Sequence, residues 1–142
     1  MHVERTFTVD RDIEAVFDFL SDFENTEQWD PGTIETRRTS GDGGLGTTYR
    51  NRSRFMKRDV ELEYETIGFT RPTSFVCRGR NGRTTATDHL TMTRENDRTQ
   101  IHHKAVFSFP FPVNVVAPVL VRKPLEKLAD ETVEQIKRTL QP

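Results

Sequence analysis

The sequence predicts an α+β fold in which a curved seven-stranded antiparallel sheet wraps around a long C-terminal helix, with two short helices after strand 1. Three observations support this fold class. Residues 2–9 alternate between apolar and polar, and a helical pattern follows them. Residues 33–109 form six strand patterns separated by turn signals, and such short connections require antiparallel neighbours. Residues 125–140 carry an apolar stripe with helical spacing.

Composition narrows the class of protein. A length of 142 residues suits one domain spanning residues 1–142. Leu, Ile, Val and Phe make up 35 of the 142 residues and the formal net charge is −1, so we expect a folded chain that does not bind nucleic acid. No apolar run reaches the roughly 18 residues of a membrane span. The N-terminus lacks the apolar core of a signal peptide, and we therefore expect a cytoplasmic location.

The first elements follow from local signals. Alternation predicts a strand over residues 2–9. Arg5 shares the face of Val3, Phe7 and Val9; it would either point inward and clamp an acidic ligand or, as we expect, lie beyond the end of the sheet. Asp10 is expected to cap the next helix, whose apolar stripe is Ile13, Val16, Phe17 and Leu20. A short second helix or turn covers Phe23 to Trp29, with Trp29 as a packing anchor. The turn residues Asp30-Pro31-Gly32 end it.

The register of three hairpins decides which side chains share a face. A turn centred on residues 56–59 places three arginines opposite glutamates on the outer face, in the pairs Arg54–Glu61, Arg52–Glu63 and Arg50–Glu65. The same register places Asn51 opposite Tyr64 on the inner face. A turn at Asn81-Gly82 pairs Phe75 with Asp88 and Cys77 with Ala86. A turn at Asn96-Asp97 makes Leu90 a partner of His103, and Ala86 of Phe107. These registers place Asp88 and His103 on one apolar face as diagonal neighbours.

The last third is predicted to be helical. Residues 113–121 are almost continuously apolar, and Pro118 and Pro124 should kink or break this segment. The helix that follows has an apolar stripe of Leu125, Leu128, Ala129, Val133, Ile136 and Leu140.

Three short segments resemble one superfamily. Residues 9–22 resemble its strand-to-helix entry, Trp29-Asp30-Pro31 its Trp-x-Pro segment, and Gly46-Thr47-Thr48-Tyr49 its Gly-Thr-x-aromatic strand start. With the order of elements, the whole chain resembles the START-like, helix-grip superfamily, also called SRPBCC. That superfamily includes polyketide cyclase/dehydrase-like proteins, lipid-transfer domains and birch-pollen-allergen relatives. The resemblance implies a cavity between sheet and C-terminal helix that takes a small hydrophobic partner, such as a lipid, polyketide, isoprenoid or aromatic molecule.

The inner face mixes polar and apolar side chains, which suits a pocket that orients a mostly apolar ligand. The predicted ligand-binding residues are Tyr49, Asn51, Tyr64, Phe75, Leu90 and Phe107. Asp88 and His103 are the predicted catalytic residues, because a carboxylate can orient a histidine for acid–base work; a structural pair is the alternative. No metal or cofactor is expected, since the chain has no glycine-rich phosphate loop and no Cys/His metal spacing. Cys77 is expected to be a small buried hydrophobe.

Three functions remain open at this point. The first is a binder or carrier of a small hydrophobic molecule. The second is an enzyme that resembles the polyketide aromatase/cyclases and uses Asp88, His103 and Tyr64. Those enzymes tend to carry arginine inside the pocket, whereas the arginines at positions 50, 52 and 54 are predicted to face outward, which weakens this hypothesis. The third is a protein-interaction module, which an exposed apolar patch on residues 113–121 would favour. The chain is expected to be a monomer or a homodimer.

Overall fold

A computed structural model describes residues 1–141. Its seven strands form one antiparallel sheet in the order β1-β7-β6-β5-β4-β3-β2, as the sequence predicts. The strands are β1 (His2–Val9), β2 (Thr33–Ser40), β3 (Thr48–Phe55), β4 (Arg58–Thr70), β5 (Ser74–Asn81), β6 (Thr84–Glu95) and β7 (Arg98–Ser108). The N-terminal strand thus pairs with the last one, and β2 forms the opposite edge.

Two short helices connect β1 to β2: α1 (Ile13–Ser21) and, after a 3₁₀ turn over Phe23–Asn25, α2 (Thr26–Trp29). The expected cap at Asp10 is wrong. Asp12 caps α1, and its carboxylate accepts a 3.1 Å hydrogen bond from the backbone N–H of Ala15. An N-cap must directly precede the first helical residue for its side chain to reach the third one, and Asp10 lies too far upstream.

Two helices close the chain: α3 (Val113–Leu120) and α4 (Arg122–Leu140), with the break at Val121. The helical segment does break between the two prolines, but Pro118 itself lies inside α3. Pro124 lies in the first turn of α4, where backbone N–H groups have no partner within the helix. None of the helices in residues 1–141 combines the length and hydropathy needed to cross a membrane.

Two predicted hairpin registers are wrong by two residues. The first turn consists of Met56 and Lys57 alone, both with positive φ (52° and 67°), as a type I′ turn requires. It pairs Phe55 with Arg58 and Asn51 with Leu62. The outer-face pairs therefore become Arg54–Asp59, Arg52–Glu61 and Arg50–Glu63, and Tyr64 lies opposite Tyr49.

The second turn consists of Gly82 and Arg83, since Asn81 pairs with Thr84. Only Gly82 has positive φ (59°), which is the type II′ pattern. Phe75 consequently pairs with Leu90, and Cys77 with Asp88. A shift of two residues leaves every side chain on its predicted face, because the side-chain period of a strand is two.

The third register is confirmed in full. Leu90 pairs with His103, Asp88 with Ala105, and Ala86 with Phe107. Asp88 and His103 therefore lie diagonally on the inner face.

The interior divides into two apolar clusters along α4. The larger one packs α1, the 3₁₀ turn and the inner face of the sheet against Ile136 and Leu140 near the helix C-terminus. The smaller one consists of Val3, Leu125 and Ala129, nearer the helix N-terminus. The fold is therefore closely packed at one end of α4 and sparsely filled at the other.

Candidate functional site

A cavity of about 530 Å³ lies between the inner face of the sheet and the N-terminal half of α4. Pockets for small ligands typically have volumes of about 300–1,000 Å³. Most of its wall is apolar, formed by Val3, Phe55, Val60, Leu62, Ala86, Ala105, Phe107, Phe109, Val121, Leu125, Leu128 and Ala129. The cavity lies beside the smaller apolar cluster, at the sparsely filled end of α4.

Polar side chains also line the cavity, among them Arg5, Asp30, Ser53, Asp88, His103 and Thr132. Asp88 and His103 come from the neighbouring strands β6 and β7, and His103 Nε2 lies 2.8 Å from Asp88 Oδ1. Their side chains are only 17% and 13% exposed. A histidine that donates from Nε2 to a carboxylate keeps Nδ1 free as a base. The structure thus brings the two predicted catalytic residues together on the cavity wall.

Trp29 lies beside this pair, which the sequence alone did not indicate. Its ring meets the His103 ring edge-on, with centroids 6.2 Å apart and planes at 89°. Trp29 is 1% exposed and lines the cavity. Among residues 1–141 its indole N–H has no hydrogen-bond partner, although buried donors are normally satisfied. Trp29 packs against Phe23, as the predicted packing anchor would, and also lines the cavity.

Asp30 is the second cavity residue to which the sequence assigned no role in the site. Its Oδ1 accepts a 2.9 Å hydrogen bond from the backbone N–H of Gly32. Burial raises the pKa of the Asp30 carboxyl, and the nearby negative charge of Asp88 raises it further. In the sequence Asp30 belongs to an Asp-Pro-Gly turn, and this strong turn signal conceals a cavity residue.

Arg5 corrects another expectation. It does not lie beyond the sheet: it pairs with His103 across β1 and β7 and lines the cavity. Its Nε donates to Asp130 Oδ1 at 2.8 Å and its Nη2 to Glu126 Oε2 at 2.6 Å. These hydrogen bonds raise the pKa of the Arg5 guanidinium. Arg5 therefore fastens α4 to β1, and its charge is already balanced.

Two of the six predicted ligand-binding residues, Tyr64 and Phe107, line the cavity. The Tyr64 ring lies over Gly79 on β5, where an added Cβ would approach the ring carbons Cε1 and Cζ to 2.7 Å. Gly79 thus leaves the space that the ring occupies. Burial raises the pKa of the Tyr64 hydroxyl well above its usual value, so the hydroxyl stays protonated and can donate.

The other four, Tyr49, Asn51, Phe75 and Leu90, lie in the closely packed end of the interior and are at most 2% exposed. Among the described residues they form no part of the cavity wall. Asn51 shows why the prediction differs from the structure. Its Nδ2 donates to Thr36 and its Oδ1 accepts from Ser53, so its hydrogen bonds are made within the core. An alternating pattern identifies the inner face but not which part of that face is filled.

The remaining expectations concern the outward-facing arginines of β3, His102, Cys77 and metal binding. Residues 50, 52 and 54 are exposed, as predicted. His102 lies on the outer face, where its Nε2 is 2.8 Å from Glu4 Oε2. Cys77 is fully buried, and burial raises the pKa of its thiol far above the usual range. Within residues 1–141 no group of three His, Cys, Asp or Glu side chains is placed to hold a metal ion.

Fold and cavity together define a helix-grip protein, in which a long helix lies against a curved antiparallel sheet. The chain belongs to the polyketide cyclase / dehydrase and lipid transport family, whose model matches residues 1–141. No curated protein sequence matches it.

Solved structures share the fold at low sequence identity. TTHA0849 from Thermus thermophilus superposes with a TM-score of 0.82 at 13% identity, over 99% of this chain and 97% of that one. The Zhui aromatase/cyclase from Streptomyces sp. R1128 gives 0.69 at 18% identity, over 99% and 90%. The di-domain ARO/CYC BexL gives 0.73 at 16% identity, and the match spans 99% of this chain but 50% of BexL.

Proposed function

We propose that the protein binds a small, mostly apolar molecule in the cavity between the sheet and α4. The observation that supports this is the cavity itself, about 530 Å³ with a predominantly apolar wall. Burying apolar ligand surface stabilises a complex by about 25 cal/mol per Å² before the entropic cost of binding. Membership of a cyclase/dehydrase and lipid transport family agrees with such a ligand.

The polar part of the wall indicates what the ligand carries. Trp29 has an N–H without a partner, and Tyr64 has a protonated hydroxyl. Asp30 and the Asp88–His103 pair add hydrogen-bond acceptors. Carbonyl or hydroxyl oxygens on an apolar skeleton would satisfy these groups. Arg5 contributes little attraction for an acid, because Glu126 and Asp130 neutralise it.

Titration with the fluorescent apolar probe N-phenylnaphthylamine tests this proposal. Ala86 lines the cavity from β6, so Ala86→Phe should fill part of the volume and weaken probe binding by about tenfold or more. Thr91 is exposed on the opposite face of the same strand, and Thr91→Phe is the matched control. Equal probe affinity in wild type and Ala86→Phe, with both folded by circular dichroism, would exclude this cavity as the binding site.

A second candidate function is catalysis of the aromatase/cyclase type, favoured by the Asp88–His103 pair in the cavity wall. His103 would remove a proton next to a ketone, and the resulting enolate carbon would attack a second carbonyl of the same chain. That carbon–carbon bond would close the ring, the alkoxide formed would take up the proton from His103, and loss of water would then leave a double bond in the ring. Asp88 would hold the histidine orientation.

The two candidates separate in a turnover assay with a synthetic poly-β-ketone thioester. For an enzyme, Asp88→Asn and His103→Gln lower turnover while the affinity for N-phenylnaphthylamine stays unchanged. Unchanged turnover in both variants removes the pair from catalysis and leaves the binding function.

A further inference from the structure

Helix α3 and Phe111, two residues before it, form an exposed apolar surface, here called the α3 patch. It consists of Phe111, Val113, Val115, Val116, Val119 and Leu120, of which Val119 is 82% and Val115 64% exposed. Residues 109–121 contain no charged side chain. Contiguous exposed apolar surface of this kind marks an interaction site.

The α3 patch is continuous with the rim of the cavity. Phe109 precedes α3 and Val121 follows it, and both line the cavity. Met56, in the β3–β4 turn, also lines the cavity and is 53% exposed. A ligand entering or leaving at this rim passes directly beside α3.

Basic side chains surround the same rim. Lys57 and Arg58 lie at the β3–β4 turn, Arg83 at the β5–β6 turn, and Lys123 in the first turn of α4. All four are exposed, and within the described residues none of them forms an ion pair. The carboxylate of Asp59, which follows Arg58 in β4, is already paired with Arg54 at 2.8 Å. This end of the molecule therefore presents apolar side chains flanked by unbalanced positive charge.

We propose that the α3 patch docks on the surface of an anionic lipid bilayer. Apolar side chains on a surface helix insert into the headgroup boundary, and adjacent Lys and Arg are attracted to anionic lipids. A second copy of the chain is a poorer occupant, because a twofold contact through α3 would bring the two sets of cations towards each other. Docking would turn the cavity rim to the membrane, so an apolar ligand could transfer without crossing water. This inference goes beyond binding in the cavity.

Co-sedimentation of the full chain with vesicles tests the proposal. One set of vesicles contains phosphatidylcholine alone, and the other contains equal parts of phosphatidylcholine and phosphatidylglycerol. We expect binding to the anionic vesicles that weakens as salt increases, and much weaker binding to the neutral ones. Val119→Glu should lower the partition constant for anionic vesicles by about tenfold or more, since it removes an inserted apolar group.

Leu45→Glu provides the matched control, because Leu45 is 70% exposed in the loop before β3, at the end of that strand opposite Met56. It should bind vesicles as the wild type does. Reversing two charges with Arg83→Glu and Lys123→Glu should abolish the preference for anionic lipid. Val119 lies outside the cavity wall, so Val119→Glu should keep its affinity for N-phenylnaphthylamine, which separates this test from that of the cavity.

Three results would overturn the proposal. One is equal binding of wild type to both vesicle types at low salt, or none to either. Another is an equal loss of binding in Val119→Glu and Leu45→Glu. The third is a wild-type dimer in sedimentation velocity that Val119→Glu converts to monomer without any effect on vesicle binding, which would assign the α3 patch to contact between copies.

Discussion

Replacing Asp88 and His103 by alanine, singly and together, measures the free energy with which the two side chains interact. The same replacements at Glu4 and His102, a matched pair on the other face of the same sheet, provide the control cycle. His102 Nε2 lies 2.8 Å from Glu4 Oε2, the same distance that separates His103 Nε2 from Asp88 Oδ1. The pairs differ in exposure: 17% and 13% for Asp88 and His103, against 49% and 38% for Glu4 and His102.

Exposure sets the expected magnitudes. A hydrogen bond to a charged group that is largely removed from water couples its partners by about 1–3 kcal/mol. Solvent screens the exposed pair, so its coupling should be indistinguishable from zero. The single variant His103→Ala should be the more destabilising of the two histidine variants, because it leaves the Asp88 carboxylate without its partner.

Urea unfolding at neutral pH, followed by circular dichroism, gives the four free energies of each cycle. The comparison requires that the free energy of unfolding falls with urea concentration at the same slope in all variants. Equal coupling in the two cycles, or none in the inner one, would refute the reasoning that the cavity wall shields Asp88 and His103 from water.

Two further substitutions test the surroundings of the cavity. Gly79→Ala should destabilise the protein by about 1–3 kcal/mol, because the added Cβ would approach the Tyr64 ring to 2.7 Å. Urea unfolding measures this cost, which should disappear when Tyr64 is also replaced by leucine. A cost that persists in the Tyr64→Leu background would show that the clash is not with the Tyr64 ring. Burial raises the pKa of Asp30, so the folded state holds this proton more tightly, and stability falls as pH rises from the ordinary carboxyl pKa through the folded one. Asp30→Asn should therefore raise the melting temperature at neutral pH but not at a pH below the ordinary carboxyl pKa. The control is Asp42→Asn, which replaces an exposed carboxylate that accepts a similar hydrogen bond from Gly44 and should show no such pH-dependent gain. The same gain in both variants would contradict the attribution to burial of Asp30.

The sheet was predictable because face assignment depends on residue parity. The register at Met56-Lys57 is two residues from the predicted one, yet Tyr64 still faces inward. Turn length was harder to predict, since both residues of the actual turn adopt positive φ without being glycine, asparagine or aspartate. The Asn96-Asp97 turn has a standard composition, and its register was predicted correctly.

The candidate site was predictable only in part. Asp88 and His103 come together through strand register, which the sequence specifies. Trp29 and Asp30 reach the same place through the packing of a four-residue helix, and Arg5 through its ion pairs with α4. Such contacts depend on how elements pack in three dimensions, and local periodicity carries no information on them.

The place where an apolar molecule binds can be measured directly by methyl NMR of the protein titrated with N-phenylnaphthylamine. Ala105 and Leu125 lie on opposite walls of the cavity, on β7 and α4, whereas Leu45 lies in a distant exposed loop. We expect saturable shifts of the Ala105 and Leu125 methyl signals and intermolecular contacts from the probe to both, with Leu45 unchanged. Shifts confined to exposed methyl groups, with the cavity signals unmoved at saturation, would show that the space between sheet and helix is not a binding site.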